Sequence, residues 1–336
     1  MAAISSVTDA SGAFAPHAGG ARRTTAKPAL ETRGAVFCGD RRVEVRDLEL
    51  EAPGPGDVVV DVEWCGVSSG TERLMYTGEM PMFPGMGYPL VPGYEAVGKV
   101  VWADRRNDLL GKRVFAPGSK GFRDARGLFG ASASRLVVDA ERVAPADFAA
   151  PEQAALLALA ATAHHAVVGG RPPDLVVGHG VFGRLIARVS IALGHPPPVA
   201  WEIDDGRADA DGYAVIDPSC DGRSDYTSIY EASGDETVVD ELVAAMAKGG
   251  EIVLAGFYPG RIGFSFAPAF IKEARMRIAA EWSREDLEDV IMLVETGKLS
   301  LDGLITHVKP AAEAADAYAA AFGDPDCLKM LLDWRG

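Results

Sequence analysis

The chain has 336 residues, of which 33 are basic and 48 acidic, and its formal net charge is −15. This length is enough for two domains, each with its own hydrophobic core. A surface of this charge repels nucleic-acid phosphates and anionic lipids, so the composition argues against nucleic-acid binding and allows at most peripheral contact with a membrane.

The cysteines and the apolar stretches favour a cytoplasmic protein. The four cysteines are scattered, without the paired spacing of a disulfide framework or a zinc lobe. The longest apolar stretches, 154–168 and 175–193, are interrupted by histidine, arginine and glycine, so neither is predicted to span a membrane. No secretory apolar segment is expected near Met1.

Residues 1–32 are rich in small and polar side chains without periodicity, so we predict a disordered extension there. From residue 33 the pattern changes to short β-like runs separated by turns such as Pro-Gly-Pro-Gly at 53–56. The segment 33–149 is therefore predicted to form a mostly antiparallel β domain. Its predicted strands are 35–38, 42–47, 57–63, 96–101, 112–116 and 134–138.

A loop rich in proline and methionine lies within this domain, between residues 76 and 98. One interpretation is an irregular surface loop stiffened by proline. The other is an adaptable apolar wall for a flat ligand, because methionine conforms to a surface and aromatic rings stack. The residues predicted to line that wall are Met80, Met82, Phe83, Met86 and Tyr88.

The next segment predicts a dinucleotide site. An apolar run at 175–177 is followed by Gly178, Gly180 and Gly183 in the pattern G-x-G-x-x-G, and then by a helical pattern. Glycines are needed because the backbone must turn tightly and approach a pyrophosphate, which binds the N–H groups of the helix N-terminus. The predicted cofactor-binding residues are Gly178, His179, Gly180, Val181, Phe182, Gly183 and Glu202.

Glu202 decides which dinucleotide is expected. It follows a second apolar run, 198–201, at about the usual spacing for the acid that binds an adenine ribose. Together with Asp204 and Asp205 it would repel a 2′-phosphate, whereas Arg207 is the nearby cation that argues for NADP. Since three carboxylates outweigh one cation, we predict NAD.

The remaining pattern completes a Rossmann domain over 150–284 and adds a tail. Further strands are predicted at 229–233 and 251–256, and a last one at 327–333. The predicted helices are 151–168, 185–193, 237–247, 285–296 and 311–322.

From residue 33 onward the chain resembles the medium-chain dehydrogenase/reductase superfamily. The matching fragments are Pro-Gly-Pro-Gly-Asp-Val (53–58), Gly-Val-Ser (66–68), Val-Pro-Gly-Tyr-Glu-Ala-Val-Gly (91–98), Gly-Gly-Glu-Ile-Val-Leu-Ala-Gly (249–256) and Gly-Lys-Leu (297–299). The resemblance implies an α/β fold: a GroES-like β catalytic domain plus a Rossmann domain with a doubly wound parallel sheet. It also implies that residues 285–336 fold back onto the β domain and that the substrate lies in the interdomain cleft.

The usual zinc ligands of that superfamily are missing. Ser68, Tyr94 and Ala158 stand where zinc enzymes carry a cysteine, a histidine and a third ligand. Glu95 by itself cannot hold a tetrahedral zinc, which takes three or four Cys, His or carboxylate ligands. We therefore predict no metal.

A narrower resemblance, to the bacteriochlorophyllide a dehydrogenases, depends on three fragments. They are Ser-Ser-Gly-Thr-Glu-Arg (68–73), the run from Met80 to Glu95, and Ala-Thr-Ala-His-His (161–165). This resemblance implies oxidation of the 3-(1-hydroxyethyl) side chain of a bacteriochlorophyllide to 3-acetyl, with NAD, in bacteriochlorophyll biosynthesis. The implied partner is a tetrapyrrole of the bacteriochlorophyllide type.

Removal of the hydroxyl proton needs a positioned acid–base group, and three residues are the main candidates. Tyr94 occupies a position that faces the cleft in zinc enzymes, and one of His164 and His165 is expected to point into the cleft. That histidine could act as a base or as an axial ligand to the magnesium of the macrocycle. The predicted supporting residues are Ser68, Thr71 and Glu95.

Two other functions stay open at this point. One is a zinc-free quinone or enoyl reductase, which would normally favour NADPH, against the prediction from Glu202. The other is a non-catalytic NAD-binding protein, which would leave Tyr94 and the histidine pair without a role. A homodimer is compatible with either.

Overall fold

The computed structural model describes residues 30–82 and 84–336. Most of the predicted N-terminal extension and Phe83 lie outside the described residues. The first strand begins at Leu30, so the extension was predicted three residues too long.

The N-terminal half is a β domain, as predicted. Nearly all its strand pairs are antiparallel, and β3 is central because it pairs with β5, β8 and a strand of the tail. Alternate valines of β3 are buried in the domain core. The elements are β1 (Leu30–Phe37), β2 (Val43–Leu50), β3 (Asp57–Val67), α1 (Thr71–Thr77), β4 (Leu90–Val91), β5 (Ala96–Ala103), β6 (Arg113–Ala116), β7 (Arg126–Gly127), β8 (Arg135–Asp139) and β9 (Ala144–Pro145).

The middle of the chain forms a six-stranded parallel sheet with the order β12-β11-β10-β13-β14-β15. The strand order changes direction at β10, which is where open α/β sheets bind ligands. The elements are α2 (Leu157–Val168), β10 (Leu175–Val177), α3 (Val181–Ala192), β11 (Val199–Trp201), β12 (Ala214–Ile216), β13 (Tyr226–Glu231), α4 (Val239–Ala245), β14 (Met246–Leu254), α5 (Phe266–Lys272) and β15 (Arg275–Ile278). The predicted Rossmann architecture is confirmed.

The tail returns to the β domain, as the superfamily resemblance implied. It contains α6 (Arg284–Glu295), β16 (His307–Pro310), α7 (Ala314–Gly323) and β17 (Met330–Asp333). Strand β17 pairs antiparallel with β3, with Met330 opposite Val67. Helix α6 instead packs against α2, so the part of the tail that joins the sheets of the β domain begins at β16.

The two domains share one hydrophobic core. Trp64 and Val97 of the β domain belong to the same buried cluster as Leu157 of α2, Leu185 of α3 and Leu287 of α6. Tyr94, just before β5, packs against this core and is thereby held beside the parallel sheet. Within residues 30–82 and 84–336, no helix is long and apolar enough to cross a membrane.

Candidate active site

Three hydroxyl groups meet between β3, α1 and β5. Tyr94 Oη donates to Ser68 Oγ over 2.8 Å, and Thr71 Oγ1 donates to Tyr94 Oη over 3.3 Å. Ser68 Oγ and Thr71 Oγ1 lie 3.3 Å apart. We call Ser68, Thr71 and Tyr94 the hydroxyl trio; all three are candidates predicted from the sequence, and the structure brings them together.

The local chain explains why these groups converge. Ser68 follows the last residue of β3, and Thr71 is the first residue of α1. Tyr94 comes after Gly93, whose φ of +96° and close approach to Ser132 would not accommodate a side chain without strain. The Tyr94 ring also packs edge-to-face on Phe129, with centroids 5.7 Å apart.

The trio is built to donate hydrogen bonds. Burial, and then the neighbouring Glu95, raise the pKa of Tyr94 well above its ordinary value. The phenol therefore keeps its proton at neutral pH and acts as a donor, not as a tyrosinate base. Such a donor stabilises an oxygen on which negative charge develops.

The same positions do not fit zinc. Ser68 and Tyr94 offer neutral hydroxyls, and Ala158 offers a buried methyl group. Zinc sites in proteins use cysteine, histidine or carboxylate ligands. In the part of the chain that the structure describes, no three His, Cys, Asp or Glu side chains are grouped so that they could hold a metal ion.

Glu95, predicted as a supporting residue, lies inside the β domain. Its side chain is fully buried and forms an ion pair with Lys329, which comes from the tail just before β17. Burial raises the pKa of Glu95 and the lysine lowers it. Glu95 thus joins the start of β5 to the tail inside the β domain.

The histidine pair corrects a second prediction. His164 Nδ1 lies 2.9 Å from one carboxylate oxygen of Asp286, and His165 Nδ1 lies 2.9 Å from the other. Asp286 is on α6, where it also receives hydrogen bonds from Ser283 N and Oγ. Adjacent helical residues can share one partner here because a carboxylate presents two oxygens. Both rings face α6, whereas one had been expected to face the cleft.

The carboxylate between the histidines is held in its charged form. Burial raises the pKa of Asp286, but hydrogen bonds from Ser283, His164 and His165 outweigh burial and lower the pKa to about 2. The pair thus fastens α2 to the start of α6.

We expect His164→Ala to lower the free energy of unfolding by about 1–3 kcal/mol, because it leaves a buried carboxylate oxygen without its donor. The Michaelis constants and kcat should stay near those of the wild type. Urea unfolding and steady-state kinetics check this, with His195→Ala at the end of α3 as the matched control. If His164→Ala instead lost turnover while its free energy of unfolding stayed unchanged, His164 would be assigned a catalytic role.

The dinucleotide turn has the geometry that its glycines predicted. Gly178 has a φ of +88°, and a Cβ there would lie 2.7 Å from the backbone of Ser233. A Cβ on Gly183 would lie 1.9 Å from the carbonyl oxygen of Gly178, whereas a Cβ on Gly180 would meet nothing within 4 Å. The turn is thus closed on the protein side and open above Gly180, at the N-terminus of α3.

The side chains around this turn are mostly structural. Val181 and Phe182 pack on the shared core. His179 is buried between the Tyr213 hydroxyl, at 2.7 Å from Nε2, and the Arg207 carbonyl, at 2.6 Å from Nδ1, and burial lowers its pKa. The His179 ring is therefore occupied within the protein, and its backbone N–H and carbonyl are already bonded to Glu202 and Arg184.

Glu202 is fixed at the carboxyl end of β11. One of its oxygens accepts from His179 N, and the other accepts from Ile203 N and Asp204 N. Arg207 donates to the Pro325 carbonyl over 2.8 Å and is turned toward the tail. The acid is thus fastened beside the glycine turn, and the nearby cation already has a partner.

The predicted apolar wall is only partly present. Met86 is buried in the β-domain core with Phe37 and Met75, and Met80 packs on the same cluster. Tyr88 is partly exposed and its hydroxyl donates to the Met75 carbonyl. Met82 is 85 % exposed. The wall is corrected accordingly, since two of its methionines are used to fill the core.

Three further buried residues, in or near the site, are not predicted from the sequence: Glu72, Lys329 and Asp286. Ser283 and Asp286 have the spacing of a capping box, which could have been found. Lys329 interrupts an apolar strand pattern, and an interior lysine usually has a charged partner. Glu72 lies within the Ser-Gly-Thr-Glu-Arg fragment, but nothing local indicates that it is buried.

Comparison with known proteins agrees with this architecture. Residues 54–148 match the alcohol dehydrogenase GroES-like domain family. A 2R,3R-butanediol dehydrogenase from Bacillus subtilis superposes with a TM-score of 0.77 at 22% identity, over 90% of this chain and 99% of that one. An alcohol dehydrogenase from Escherichia coli in complex with NADH superposes with a TM-score of 0.75 at 20% identity, with the same coverage. The chain thus has the fold of the medium-chain dehydrogenase/reductase superfamily, with the GroES-like domain at 54–148.

Two curated relatives narrow the assignment. The 2-desacetyl-2-hydroxyethyl bacteriochlorophyllide A dehydrogenase of Cereibacter sphaeroides is 56% identical over 315 residues, and that of Rhodobacter capsulatus is 52% identical over 311. Each match covers 91% of this chain and 99% of the relative. The chain belongs to the family of bacteriochlorophyllide a dehydrogenases.

Proposed function

We propose that the chain oxidises the hydroxyethyl side chain of a bacteriochlorophyllide to an acetyl group, with NAD as the hydride acceptor, in bacteriochlorophyll biosynthesis. The observation that carries the proposal is the hydroxyl trio, two of whose members, Ser68 and Tyr94, stand where zinc enzymes of the superfamily carry metal ligands. The trio provides hydrogen-bond donors where an alcohol oxygen would otherwise meet a metal.

The reaction removes a hydride from the carbinol carbon and a proton from the hydroxyl. Since Tyr94 keeps its own proton, the released proton would pass to solvent water by way of the Ser68 and Thr71 hydroxyls, which lie 3.3 Å apart. NAD, when bound, supplies the hydride acceptor. Tyr94 and Ser68 would hold the alcohol oxygen and stabilise the charge that develops on it, while Thr71 supports the Tyr94 hydroxyl. Because the carbinol carbon is attached to a conjugated macrocycle, electron deficiency there is delocalised, and the need for a Lewis acid is smaller than for a simple alcohol.

The choice of NAD over NADP follows from charge. Glu202 holds a carboxylate beside the glycine turn, and Asp204 and Asp205 follow it. Arg207 is engaged by the Pro325 carbonyl and lies 3.7 Å from Asp204. A 2′-phosphate would thus meet net negative charge, and this also disfavours the alternative of an NADPH-dependent quinone or enoyl reductase.

The test of the function is incubation of the purified chain with NAD and a hydroxyethyl bacteriochlorophyllide. Formation of the acetyl product should shift the macrocycle absorption to the red in step with NADH formation. A zinc chelator should not change the rate, and ethanol should be a very poor substrate because remote binding energy is missing. Good turnover of small alcohols without turnover of the bacteriochlorophyllide would refute the proposal.

We expect Glu202→Ala to weaken NAD binding by about 1–3 kcal/mol, because a ribose hydroxyl then loses a charged acceptor. The same change removes a negative charge and should narrow the gap between the Kd values for NAD and NADP. Titration with both dinucleotides measures this, with Glu236→Ala as a control for an exposed acid elsewhere in the domain. An unchanged ratio of the two Kd values would contradict the role given to Glu202.

We further propose a homodimer formed at the outer edge of the parallel sheet. Among the described residues β15 pairs only with β14, and Ile278 on this edge is 76 % exposed. Phe266, Phe270 and Ile271 of α5 are also largely exposed. A second copy related by a two-fold axis can pair with the open strand and cover these side chains, since such a surface is self-complementary.

Ile278→Asp should therefore shift the protein toward the monomer in sedimentation or light-scattering measurements. The equivalent change at Met292, which is exposed on α6, should not. A wild type that is monomeric at high concentration would rule out this surface as a dimer interface.

A further inference from the structure

Directly behind the hydroxyl trio lies a carboxyl group that the proposed reaction does not use. Glu72, the second residue of α1, is fully buried, and its Oε1 accepts the backbone N–H of Ser68 over 3.1 Å. The side chain thus folds back over the turn of residues 68–70, which carries one member of the trio and leads to another.

The surroundings of Glu72 are unusually rich in buried titratable groups. Four such groups lie around it: Cys65 on β3, Glu95 just before β5, Lys329 in the tail and Tyr318 on α7. Tyr318 interacts with the Glu72 carboxyl and donates to Ser132 Oγ over 3.3 Å. Two buried carboxyl groups therefore share one buried lysine.

We infer that Glu72 is a positioning residue for the proposed oxidation: its carboxyl holds the Ser68 turn so that Ser68 and Thr71 both reach Tyr94. The inference rests on the proposed function for its kinetic consequence, but the contact itself stands on the geometry. Helix α1 has no side-chain cap at Gly70, so the contact from Glu72 adds to the Ser68–Thr71 hydroxyl contact in tying the turn to the helix.

The charge balance assigns a protonation state to this carboxyl. Lys329 is paired with Glu95, so an ionised Glu72 would add an uncompensated negative charge to the interior. Burial, and then Glu95, raise the pKa of Glu72 to about 8. At neutral pH the group is a neutral acid whose carbonyl oxygen can still accept from Ser68 N.

Ionisation of Glu72 would slow the proposed oxidation. A negative charge behind Ser68 disfavours the alkoxide that develops when the alcohol loses its proton. The kcat should therefore fall as pH rises above about 8. Cys65 and Tyr318 stay neutral around pH 8, because burial raises the pKa of each group well above its ordinary value.

The kinetic experiment compares Glu72→Gln with Glu72→Ala. Glutamine keeps a carbonyl acceptor for Ser68 N and cannot ionise, so turnover at neutral pH should be retained and the decline at high pH abolished. Alanine removes the acceptor, so kcat should fall by about tenfold to a hundredfold through misplacement of the trio, with the KM for NAD unchanged. Glu79→Gln, an exposed acid just beyond α1, is the matched control.

A second readout does not depend on the substrate. The folded pKa of Glu72 lies above its unfolded value of 4.5, so unfolding releases a proton between these pKa values. The contribution of Glu72 to the free energy of unfolding is therefore greatest below about pH 4.5 and decreases as the pH rises to about 8. Above that pH it is constant. The melting temperature of Glu72→Gln should lack this part of the pH dependence, whereas that of Glu79→Gln should keep it.

The outcomes separate the two proposals. A missing decline in kcat for Glu72→Gln, with the matching change in melting profile, supports the positioning role. Equal kcat values for Glu72→Ala and Glu72→Gln at neutral pH would overturn it. Overlapping pH profiles for wild type and Glu72→Gln in both measurements would overturn the protonation state assigned to Glu72. If the bacteriochlorophyllide is not turned over at all, the proposed function fails, while the melting profiles still decide whether Glu72 titrates as inferred.

Discussion

Tyr94→Phe should lower kcat for the hydroxyethyl bacteriochlorophyllide by about 10²-fold, the usual loss when one donor to a developing oxyanion is removed. The change deletes only a hydroxyl, so the Phe129 contact and the packing of the ring are kept. The KM for NAD and the melting temperature should stay near wild type. Steady-state kinetics at saturating substrate measure the effect.

Tyr76→Phe is the matched control, because it makes the same chemical change on a tyrosine whose ring packs on Phe37 and Phe322. Its kcat should be that of the wild type. If Tyr94→Phe also turned over normally, the hydroxyl trio would have no part in the chemical step, and the candidate site would have to be sought elsewhere in the chain.

Gly183→Ala should abolish NAD binding, with a loss in affinity of at least about 10²-fold, because the new Cβ would lie 1.9 Å from the Gly178 carbonyl oxygen. The turn must then open, and its N–H groups no longer converge. The melting temperature should fall as well, since Gly183 is buried where α3 meets β10. Calorimetric titration and thermal unfolding report the two effects separately.

Gly180→Ala distinguishes a glycine needed by the fold from one needed by the ligand. Its Cβ meets nothing within 4 Å, so the fold and melting temperature should be retained. The affinity for NAD should nevertheless fall, because the space above Gly180 is where the backbone must approach a pyrophosphate. Equal affinity in Gly180→Ala and wild type would place the dinucleotide away from this turn.

The parts of the site that were accessible from the sequence are those with short-range patterns. The dinucleotide turn depends on three glycines within a strand–turn–helix unit, and each glycine is required by backbone geometry within that unit. The absence of zinc ligands could also be predicted from the sequence, because the residue types at 68, 94 and 158 show that Ser68, Tyr94 and Ala158 carry no usual zinc-binding atom. Side-chain chemistry at a known position does not depend on packing.

The direction in which a side chain points was decided by tertiary structure. His164 and His165 lie on a helix whose alanine-rich surface is buried on several sides, so its sequence does not say which neighbour it meets. Contact with Asp286 exists because α6 packs there. The local pattern likewise did not distinguish a methionine that lines a cleft from Met86, which fills the core.

By itself, the sequence determined the two-domain α/β class, the glycine turn, the acid at Glu202 and the absence of zinc-binding side chains at the matching positions. Only the tertiary structure brought Lys329 to Glu95 and placed Glu72 behind Ser68. The physical reason is distance along the chain: Lys329 arrives at the site because β17 pairs with β3, and pairing between remote strands leaves no signal in either segment. Burial then sets the charge states of these groups, and burial is a property of the assembled fold.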